Sequence, residues 1–299
     1  MKQLMPNFFV VGAPKAGTTS LYGYLRLHPD VYLPDTKELH YFSHQELLEH
    51  DKGPGDKSAL QDICRSMYEY KSHYRSNKVY KSVGDISPSY LFYHGAAAEI
   101  SAICPSAKII IMLRNPAEKA YSQYCHLVRS GREVLTFRDG LESEGDRVRA
   151  KWNDMWHYVS GSRYLEAVNK YLDVFGRNNV KIVYFEEFTT NTSEVMRDIC
   201  DFLEIGSTYD LGTGHVHNKG MGAMRFGKVV KMVTENRLLR VILTKMPTGI
   251  ESMVKNAIKP LVFKSKDTIE PSIRNEIIEA LREEIMLVEK VVGRKSYWI

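Results

Sequence analysis

The first residues that could do chemistry lie in a glycine-containing loop near the amino terminus. Gly12 and Gly17 are separated by four residues, and Thr18 and Thr19 follow directly. Glycines allow backbone N–H groups to turn toward an anion, and the amino terminus of a following helix adds its positive dipole end. The nucleoside-triphosphate version of such a loop needs a lysine directly after the second glycine, whereas Lys15 lies inside this loop. The spacing therefore predicts a phosphate-binding loop that lacks the main cation for ATP or GTP.

The segment Pro14–Thr19, with Leu-Tyr in the helical pattern that follows, resembles the 5′-phosphosulfate-binding loop of sulfotransferases. These enzymes use 3′-phosphoadenosine 5′-phosphosulfate (PAPS). The resemblance implies that Lys15 neutralises the charge that develops on the leaving oxygen, and that the residues after it bind the cofactor. Those cofactor-binding residues are Ala16, Gly17, Thr18, Thr19 and Ser20. A strand-to-helix turn without a ligand is the alternative.

A second candidate site follows a later apolar strand. Arg114 stands at the end of that strand, and Ser122 follows eight residues later in a helical pattern. In sulfotransferases an Arg and a Ser so placed hold the 3′-phosphate of PAPS, and the resemblance implies the same roles here. An arginine suits a phosphate dianion because its guanidinium donates two parallel hydrogen bonds, and eight helical residues return the serine to the same side. A surface salt bridge is the alternative for Arg114.

The segment Lys37–Phe42, with the sequence KELHYF, resembles the motif that carries the catalytic base in heparan-sulfate-type and related carbohydrate sulfotransferases. The resemblance implies that Glu38 deprotonates the acceptor hydroxyl and that Lys37 contacts the acceptor. A carboxylate acts as a base if it lies within hydrogen-bond reach of the hydroxyl and partial burial raises its pKa. His40 is the competing base, because many cytosolic members of the family rely on histidine. An ordinary surface glutamate and a structural histidine are the alternative.

The segment Gly84–Tyr90 is similar to the family segment that lines the acceptor cleft. The resemblance implies that Asp85, Ser87 and Tyr90 bind the acceptor. Ile86 stands where the heparan-type enzymes have a lysine that touches sulfated glycan, which argues against a heavily sulfated polymer as the acceptor. A capping or structural role is an equal alternative for Asp85 and Ser87.

A third nucleotide-binding segment is predicted near residue 220. Lys219, Gly220 and Arg225 stand where family members fold a basic loop over the 3′-phosphate and the adenine. The alternative is a solvated basic turn. Glu187, in a segment similar to a strand end of the family, is predicted to be a structural residue at the start of a helix.

These residues need a scaffold that brings distant loops together. Near-continuous apolar strands are predicted at residues 7–11, 107–113 and 180–185, and amphipathic helical patterns alternate with them. Such an alternation implies a parallel sheet covered on both faces. The segments predicted as long polar loops that build the site are 35–43, 51–57 and 84–90. We therefore expect an α/β fold, with a P-loop-like parallel sheet flanked by helices and a helical carboxy-terminal part.

The simplest organisation is one domain over residues 1–299. Residues 271–292 have Ile, Leu and Val at helical spacing, and Gly293 is a helix stop. The pattern from Leu281 to Trp298 looks like that of bacterial sulfotransferases that end in a helix and a Trp.

The excess of positive charge is concentrated in one stretch of the sequence. Residues 225–266 hold ten Lys and Arg against two Glu, with apolar residues at helical spacing among them. A helical extension over about residues 226–270 could therefore be a lid over an anionic acceptor, a helix with weak contact to a membrane surface, or a solvated helical face. The lid is favoured, because the stretch directly follows the candidate nucleotide loop around Lys219.

Composition narrows the classes of function. The 299 residues carry 41 Lys and Arg against 36 Asp and Glu, a net charge of +5, which excludes a partner held by bulk phosphate neutralisation and predicts no nucleic-acid partner. The four cysteines are widely spaced and are predicted to be free thiols in a reduced compartment. No apolar run is long enough for a membrane span or a signal peptide, so a cytoplasmic protein is expected.

The function expected from these residues is transfer of a sulfuryl group from PAPS to a hydroxyl of a carbohydrate or another small alcohol. No metal is expected, because a lysine and backbone dipoles can neutralise the smaller charge of a sulfuryl group. A P-loop kinase is the rival enzyme class, and the missing lysine after Gly17 counts against it. A non-catalytic nucleotide- or glycan-binding protein would not need Glu38 and His40.

Overall fold

The computed structural model describes residues 2–207 and 268–299, and every structural statement below concerns those residues. The strands, in chain order, are β1 (Lys2–Gln3), β2 (Phe8–Gly12), β3 (Val31–Tyr32), β4 (Arg75–Ser76), β5 (Ser82–Ile86), β6 (Lys108–Leu113) and β7 (Val180–Tyr184).

Helices connect and cover these strands. The α-helices of the described part are α1 (Thr18–Leu25), α2 (His44–Glu49), α3 (Asp56–Ala59), α4 (Met67–Ser72), α5 (Ala96–Ile103), α6 (Pro116–Arg129), α7 (Phe137–Glu142), α8 (Glu144–Arg149), α9 (Leu165–Phe175), α10 (Phe185–Thr190), α11 (Thr192–Phe202), α12 (Pro271–Ala280) and α13 (Arg282–Val292). Short 3₁₀ helices span Tyr41–Ser43, Pro88–Leu91, Asp154–Trp156, Ser160–Ser162 and Arg177–Asn179.

Five of the strands form a parallel sheet in the order β3-β5-β2-β6-β7. The chain runs from β2 outward to β3 and β5 on one side, and then to β6 and β7 on the other. In an open parallel sheet, this reversal leaves a crevice outside the carboxyl end of the central strand. The loop after β2 therefore opens at the place where a ligand fits.

Apolar residues dominate the two central strands, β2 and β6. All five residues of β2 are buried, and so are residues 109–113 of β6. Strands covered by helices on both faces have no solvent side that would need polar residues. The predicted parallel sheet flanked by helices is confirmed, and the three strands predicted from the sequence correspond to β2, β6 and β7.

The prediction of a loop over residues 84–90 is wrong for its first part, because Gly84, Asp85 and Ile86 belong to the buried strand β5. A Cβ on Gly84 would lie 2.1 Å from the ring of Phe8 in the neighbouring strand. The glycine that looks like a loop residue is thus required by the packing of an aromatic ring against the sheet.

The carboxy-terminal helices pack against two helices that cover the sheet, α12 against α6 and α13 against α9. Trp298 is buried, and its indole N–H donates to Glu186 Oε2 at 3.0 Å. Glu284 Oε1 of α13 accepts the N–H of Leu165 at 2.8 Å, which ties the end of the chain to the start of α9. The predicted helix over residues 271–292 is confirmed as two helices that break at Leu281, with Gly293 at a φ of 82° after the second.

Some predictions concern residues outside the described ranges. Lys219, Gly220 and Arg225 and the basic stretch 225–266 lie there, so their roles stay predictions. Within the described ranges all four cysteines are free thiols, as predicted. None of the helices in those ranges is long and apolar enough to cross a membrane.

Candidate active site

The carboxyl ends of the strands open into a cavity of about 620 Å³. Residues that follow β2, β5, β6 and β7 all contribute to its wall, together with the segment 153–155. The sequence-predicted residues that line it are Lys15, Gly17, Thr18, Thr19, Ser20, Glu38, His40, Arg114 and Ser122. The fold therefore brings together residues from three motifs that are far apart in the chain.

The loop after β2 has the form expected of an anion cradle. Lys15 and Gly17 have positive φ angles of 64° and 91°, and Gly17 immediately precedes α1. A Cβ at Gly17 would lie 2.9 Å from the ring of Phe185, so a side chain there would be both strained and crowded. The first N–H groups of a helix have no acceptor within the helix, and the first turn of α1 lines the cavity. An anion in the cavity can therefore accept hydrogen bonds from this turn. Ala16 is buried and can contribute only through its backbone.

Lys15 lies in a strongly cationic part of the cavity. Burial, Arg129 and Arg114 lower the pKa of Lys15 to about 8, although the charge of Glu38 opposes them. Several cations lie this close together at little cost in electrostatic free energy only when an anion binds beside them. The electrostatics thus favour a negatively charged ligand beside Lys15.

Arg114 is held rigidly at the end of β6. Its Nη1 donates to the backbone oxygen of Lys15 at 3.0 Å, and its guanidinium lies 4.6 Å from the centre of the Phe185 ring. Its Nη2 is 3.8 Å from Glu118 Oε2, so the surface salt bridge considered as an alternative is present only at long range. Its Nε is buried and has no hydrogen-bond partner among the described residues. A buried donor without an acceptor is costly, and an oxygen of a bound phosphate would satisfy it.

Helix α6 contributes more of the wall than the sequence analysis predicted. Ser122, His126 and Arg129 line the cavity at helical spacing, four and three residues apart. Burial, together with Lys15 and Arg129, lowers the pKa of His126 to about 4, so this ring is neutral at neutral pH. The signal that would have found both residues is the 3.6-residue period that starts from Ser122.

Glu38 and His40 lie next to each other in the cavity wall, with Glu38 Oε2 and His40 Nε2 3.8 Å apart. The expected rise in the pKa of Glu38 is wrong. Burial does raise this pKa, but the neighbouring ring of His40 and the charge and hydrogen bond of Lys37 outweigh it and hold the pKa of Glu38 well below its usual range. Lys37 is paired with Glu38 and is not among the residues that line the cavity, so its contact with the acceptor stays a prediction.

Asp85, Ser87 and Tyr90 are not among the residues that line the cavity, and their contact with an acceptor stays a prediction. All three side chains are buried. Asp85 accepts hydrogen bonds from Ser87 at 2.7 Å, Tyr90 at 2.8 Å and Tyr70 at 2.9 Å. Ser87 Oγ in turn accepts the N–H of His40 at 3.2 Å. These residues fix the loop that carries His40 onto the end of β5, which is the structural role considered as the alternative.

The structural role predicts a stability effect. Asp85→Ala leaves three buried hydroxyl groups without their acceptor, so we expect the free energy of unfolding to fall by at least about 1–3 kcal/mol. Urea unfolding followed by circular dichroism measures it, with Asp30→Ala as a control because Asp30 is a surface residue paired with Lys81. Equal stability of the Asp85 variant and the wild type would contradict this role.

The cavity wall near His40 also contains residues that no sequence pattern singles out. Ser89, two residues after Ser87, lines the wall and contacts His40. Asp154 lines it as well, and burial raises the pKa of its carboxyl group although the charge of His40 opposes this. Arg132 is paired with the buried Asp56. Among the described residues, no group of three or more His, Cys, Asp and Glu side chains could hold a metal ion.

Comparison with known proteins agrees with this geometry. Residues 6–209 match the family model described as "Sulfotransferase family". The crystal structure of a sulfotransferase from Alicyclobacillus acidocaldarius has a TM-score of 0.77 and 33% sequence identity, and the match covers 99% of each chain.

Curated relatives are more distant. Carbohydrate sulfotransferase 15 of Mus musculus is 24% identical over 253 residues, which cover 68% of this chain and 44% of that protein. Bifunctional heparan sulfate N-deacetylase/N-sulfotransferase 1 of Caenorhabditis briggsae is 23% identical over 216 residues, which cover 68% of this chain and 23% of that protein. The chain thus spans less than half the length of these relatives.

The family model covers well over half of the chain, and the bacterial structure matches it from end to end. The resemblance drawn from the loop after β2 and from Arg114 and Ser122 is confirmed at the level of the family. This chain belongs to the sulfotransferase family.

Proposed function

We propose that this protein transfers a sulfuryl group from PAPS to a hydroxyl group of a carbohydrate or another small alcohol. The observation that supports this most directly is the single cavity that joins the loop after β2, Arg114 with Ser122, and the pair Glu38 and His40. Membership of the family supports sulfuryl transfer. The carbohydrate and heparan sulfate named for the relatives support a carbohydrate acceptor.

The chain offers two groups of residues for the two ends of PAPS. The backbone of residues 16–19 and the hydroxyls of Thr18 and Thr19 would hold the 5′-phosphosulfate end, while Arg114 and Ser122 would hold the 3′-phosphate. The buried Nε of Arg114 and the crowded Gly17 both fit a phosphate-bearing ligand. When bound, PAPS supplies an activated sulfuryl group. Lys15 would keep a positive charge at its Nζ beside the position where negative charge develops.

The pair Glu38 and His40 would serve the acceptor. A hydroxyl becomes a better nucleophile as its proton leaves, and either the Glu38 carboxylate or the His40 ring could take that proton. The cavity holds the acceptor near both, which favours reaction by reducing the entropy lost in the transition state. Ile86 is buried in β5, so position 86 provides no cation for a sulfated polymer, and we propose an acceptor that is not heavily sulfated.

Binding of the product nucleotide is the first prediction of this function. We expect 3′-phosphoadenosine 5′-phosphate (PAP) to bind without Mg²⁺, since each of the two phosphate sites contributes charge-assisted hydrogen bonds worth about 1.5–3 kcal/mol. Isothermal titration calorimetry with PAP and with ATP, each with and without Mg²⁺, measures this. If ATP bound as tightly as PAP and required Mg²⁺, the kinase alternative would replace this proposal.

Transfer itself is tested with ³⁵S-labelled PAPS. The label should move to at least one member of a panel of hydroxylated acceptors that includes neutral monosaccharides, simple alcohols and sulfated oligosaccharides. Transfer to sulfated oligosaccharides alone would contradict the proposed acceptor but keep the enzyme class. PAP binding without transfer to any acceptor would favour a non-catalytic nucleotide-binding protein.

Three finer expectations stay proposals. They are a cytoplasmic location, a single domain over residues 1–299, and a lid or membrane contact formed by residues 225–266. Hydrogen exchange of the full chain with and without PAP, and with anionic vesicles, tests the last one. Protection of this stretch by PAP supports the lid, protection by vesicles alone supports the membrane contact, and no protection supports a solvated helical face.

A further inference from the structure

The two ring nitrogens of His40 have different surroundings. Nδ1 is 2.6 Å from Ser89 Oγ, which is the distance of a strong hydrogen bond. Nε2 lies toward Glu38, which lines the cavity, and is 3.8 Å from Glu38 Oε2, which is too far for a hydrogen bond. Which nitrogen carries the proton in the neutral ring is therefore decided mainly at Nδ1.

The hydrogen bond at Nδ1 continues through a second serine. Ser89 Oγ is 2.7 Å from Ser43 Oγ, and Ser43 Oγ donates to the backbone oxygen of His40 at 3.3 Å. Both serines are buried, so bulk water does not compete for their hydroxyl groups. The chain of hydrogen bonds thus starts at the ring of His40 and ends at the carbonyl of the same residue.

The carbonyl at the end of this chain gives it a direction. A carbonyl oxygen can only accept, so Ser43 donates to it, Ser89 donates to Ser43, and Nδ1–H donates to Ser89. This direction makes three hydrogen bonds. The opposite direction, with Ser43 donating to Ser89 and Ser89 to Nδ1, makes only two and leaves the carbonyl with the Ser43 N–H at 3.1 Å alone.

We infer that Ser89 and Ser43 are positioning residues that hold neutral His40 with its proton on Nδ1, so that the lone pair of Nε2 takes the proton of the acceptor hydroxyl. The inference rests on the proposed function and assigns the base within it. In the step, the O–H bond of the acceptor breaks, its electron pair stays on the acceptor oxygen, and the proton forms an N–H bond at Nε2.

The surroundings of His40 favour this step. The imidazolium that forms still donates from Nδ1 to Ser89, so neither serine has to reorient as the proton arrives. Three carboxyl groups interact electrostatically with His40: Glu38, Asp85 and Asp154. The carboxylate of Glu38, ionised because Lys37 is paired with it, stabilises the new positive charge instead of taking the proton itself.

The tautomer can be measured without any donor or acceptor. Long-range ¹H–¹⁵N spectra of the uniformly ¹⁵N-labelled full chain distinguish Nδ1–H from Nε2–H rings, and loss of a signal set in a His40→Gln variant assigns His40. We expect Nδ1–H in the wild type and in Ser89→Thr, which keeps the hydroxyl. In Ser89→Ala we expect Nε2–H, the form that imidazoles favour in water and that Glu38 attracts.

Controls separate this effect from misfolding. Ser130→Ala removes a hydroxyl that bonds to Leu127 at the end of α6, away from His40, and should leave the tautomer unchanged. Ser43→Ala removes the last hydroxyl of the hydrogen-bond chain and should give a mixture of the two tautomers. This variant provides the test if Ser89→Ala does not fold. An Nε2–H ring in the wild type, or the same tautomer in wild type, Ser43→Ala and Ser89→Ala, would overturn the inference.

Activity gives a second readout once the label-transfer screen has found an acceptor. Ser89→Ala should lower kcat by at least about tenfold, because the His40 ring in this variant carries its proton on Nε2 and cannot accept another there. Ser89→Thr should restore most of the loss. Equal kcat in wild type and Ser89→Ala would contradict the role of the serines. Failure of every acceptor with the expected tautomer in the spectra would contradict the proposed function and still support the hydrogen-bond assignment.

Discussion

Replacement of His40 by alanine is expected to lower the turnover by about 10²–10⁴-fold, the usual contribution of a general base, while PAP still binds. The ring of His40 lies between Ser89 and Glu38, and none of its hydrogen bonds involves the loop after β2 or Arg114. Loss of the ring should therefore leave the nucleotide end of the cavity intact. Label transfer measures the turnover, and calorimetry with PAP measures the nucleotide affinity of the same variant.

The matched change is Glu38→Gln, which keeps the shape of the side chain and removes its charge. We expect a smaller loss of turnover than in His40→Ala, because the lowered pKa of Glu38 makes its carboxylate a weak base and leaves it to stabilise the imidazolium. A larger loss in Glu38→Gln than in His40→Ala would return the role of base to Glu38.

The pH profile tests the role of Glu38 further. Glu38 stays ionised between pH 5 and 8 because its pKa lies well below the usual range. Loss of its proton therefore cannot produce a rise of kcat with pH in this interval, and any such rise should persist in Glu38→Gln. A rise that disappears in Glu38→Gln would show that Glu38 is the group that loses the proton.

The sequence was sufficient for the parts of the fold that depend on continuous apolar strands and on short motifs. Strands β2 and β6 are apolar because both faces of the sheet are covered, and this pattern is visible in the sequence. The anion cradle is equally visible, because Gly17 must adopt a positive φ directly before a helix. Arg114 can be predicted as well, because it comes directly after the apolar strand β6.

Strand β5 could not be predicted in this way. Its residues include Ser82, Gly84 and Asp85, which are typical of loops. They are buried because they contact residues outside the strand. Gly84 is required by the ring of Phe8, and Asp85 is stabilised by hydroxyl groups of Tyr70 and Tyr90. A motif that appears to line a cleft thus turns out to support the loop of His40 from behind.

The same limit applies to the part of the cavity around His40. Ser89 and Ser43 are 46 residues apart, and single serines carry no pattern that would single them out. Their importance comes from the directions of hydrogen bonds around His40, which exist only after folding. Lys37 is a similar case, because its ion pair with the neighbouring Glu38 is visible only in the folded structure.

Lys15→Ala is expected to lower kcat by about 10²–10³-fold, the usual cost of losing one group that stabilises charge in a transition state. The charge that Lys15 would meet develops mainly as the reaction proceeds, so PAP affinity should fall less than kcat. Arg114→Ala should show the reverse, with PAP affinity lower by about 10–100-fold, since a charged hydrogen bond to a phosphate contributes in the ground state as well. Calorimetry and label transfer on both variants give the four numbers that this comparison needs. Equal losses of affinity and turnover in the two variants would contradict the separation of roles.

The pH dependence of Lys15 provides an independent check, and its sign follows from the lowered pKa. Burial and the neighbouring Arg129 and Arg114 lower the pKa of Lys15 to about 8, so the free enzyme loses this positive charge as the pH rises through that value. The ratio kcat/KM, which reports the free enzyme, should therefore fall above about pH 8, while kcat should fall only at higher pH because a bound anion raises the pKa of Lys15 again. In Lys15→Arg the guanidinium stays protonated over the whole range, so the decline of kcat/KM near pH 8 should disappear even if the maximum rate is lower. A decline that persists unchanged in Lys15→Arg would show that another group titrates there, and the assignment of Lys15 as the required cation would be wrong.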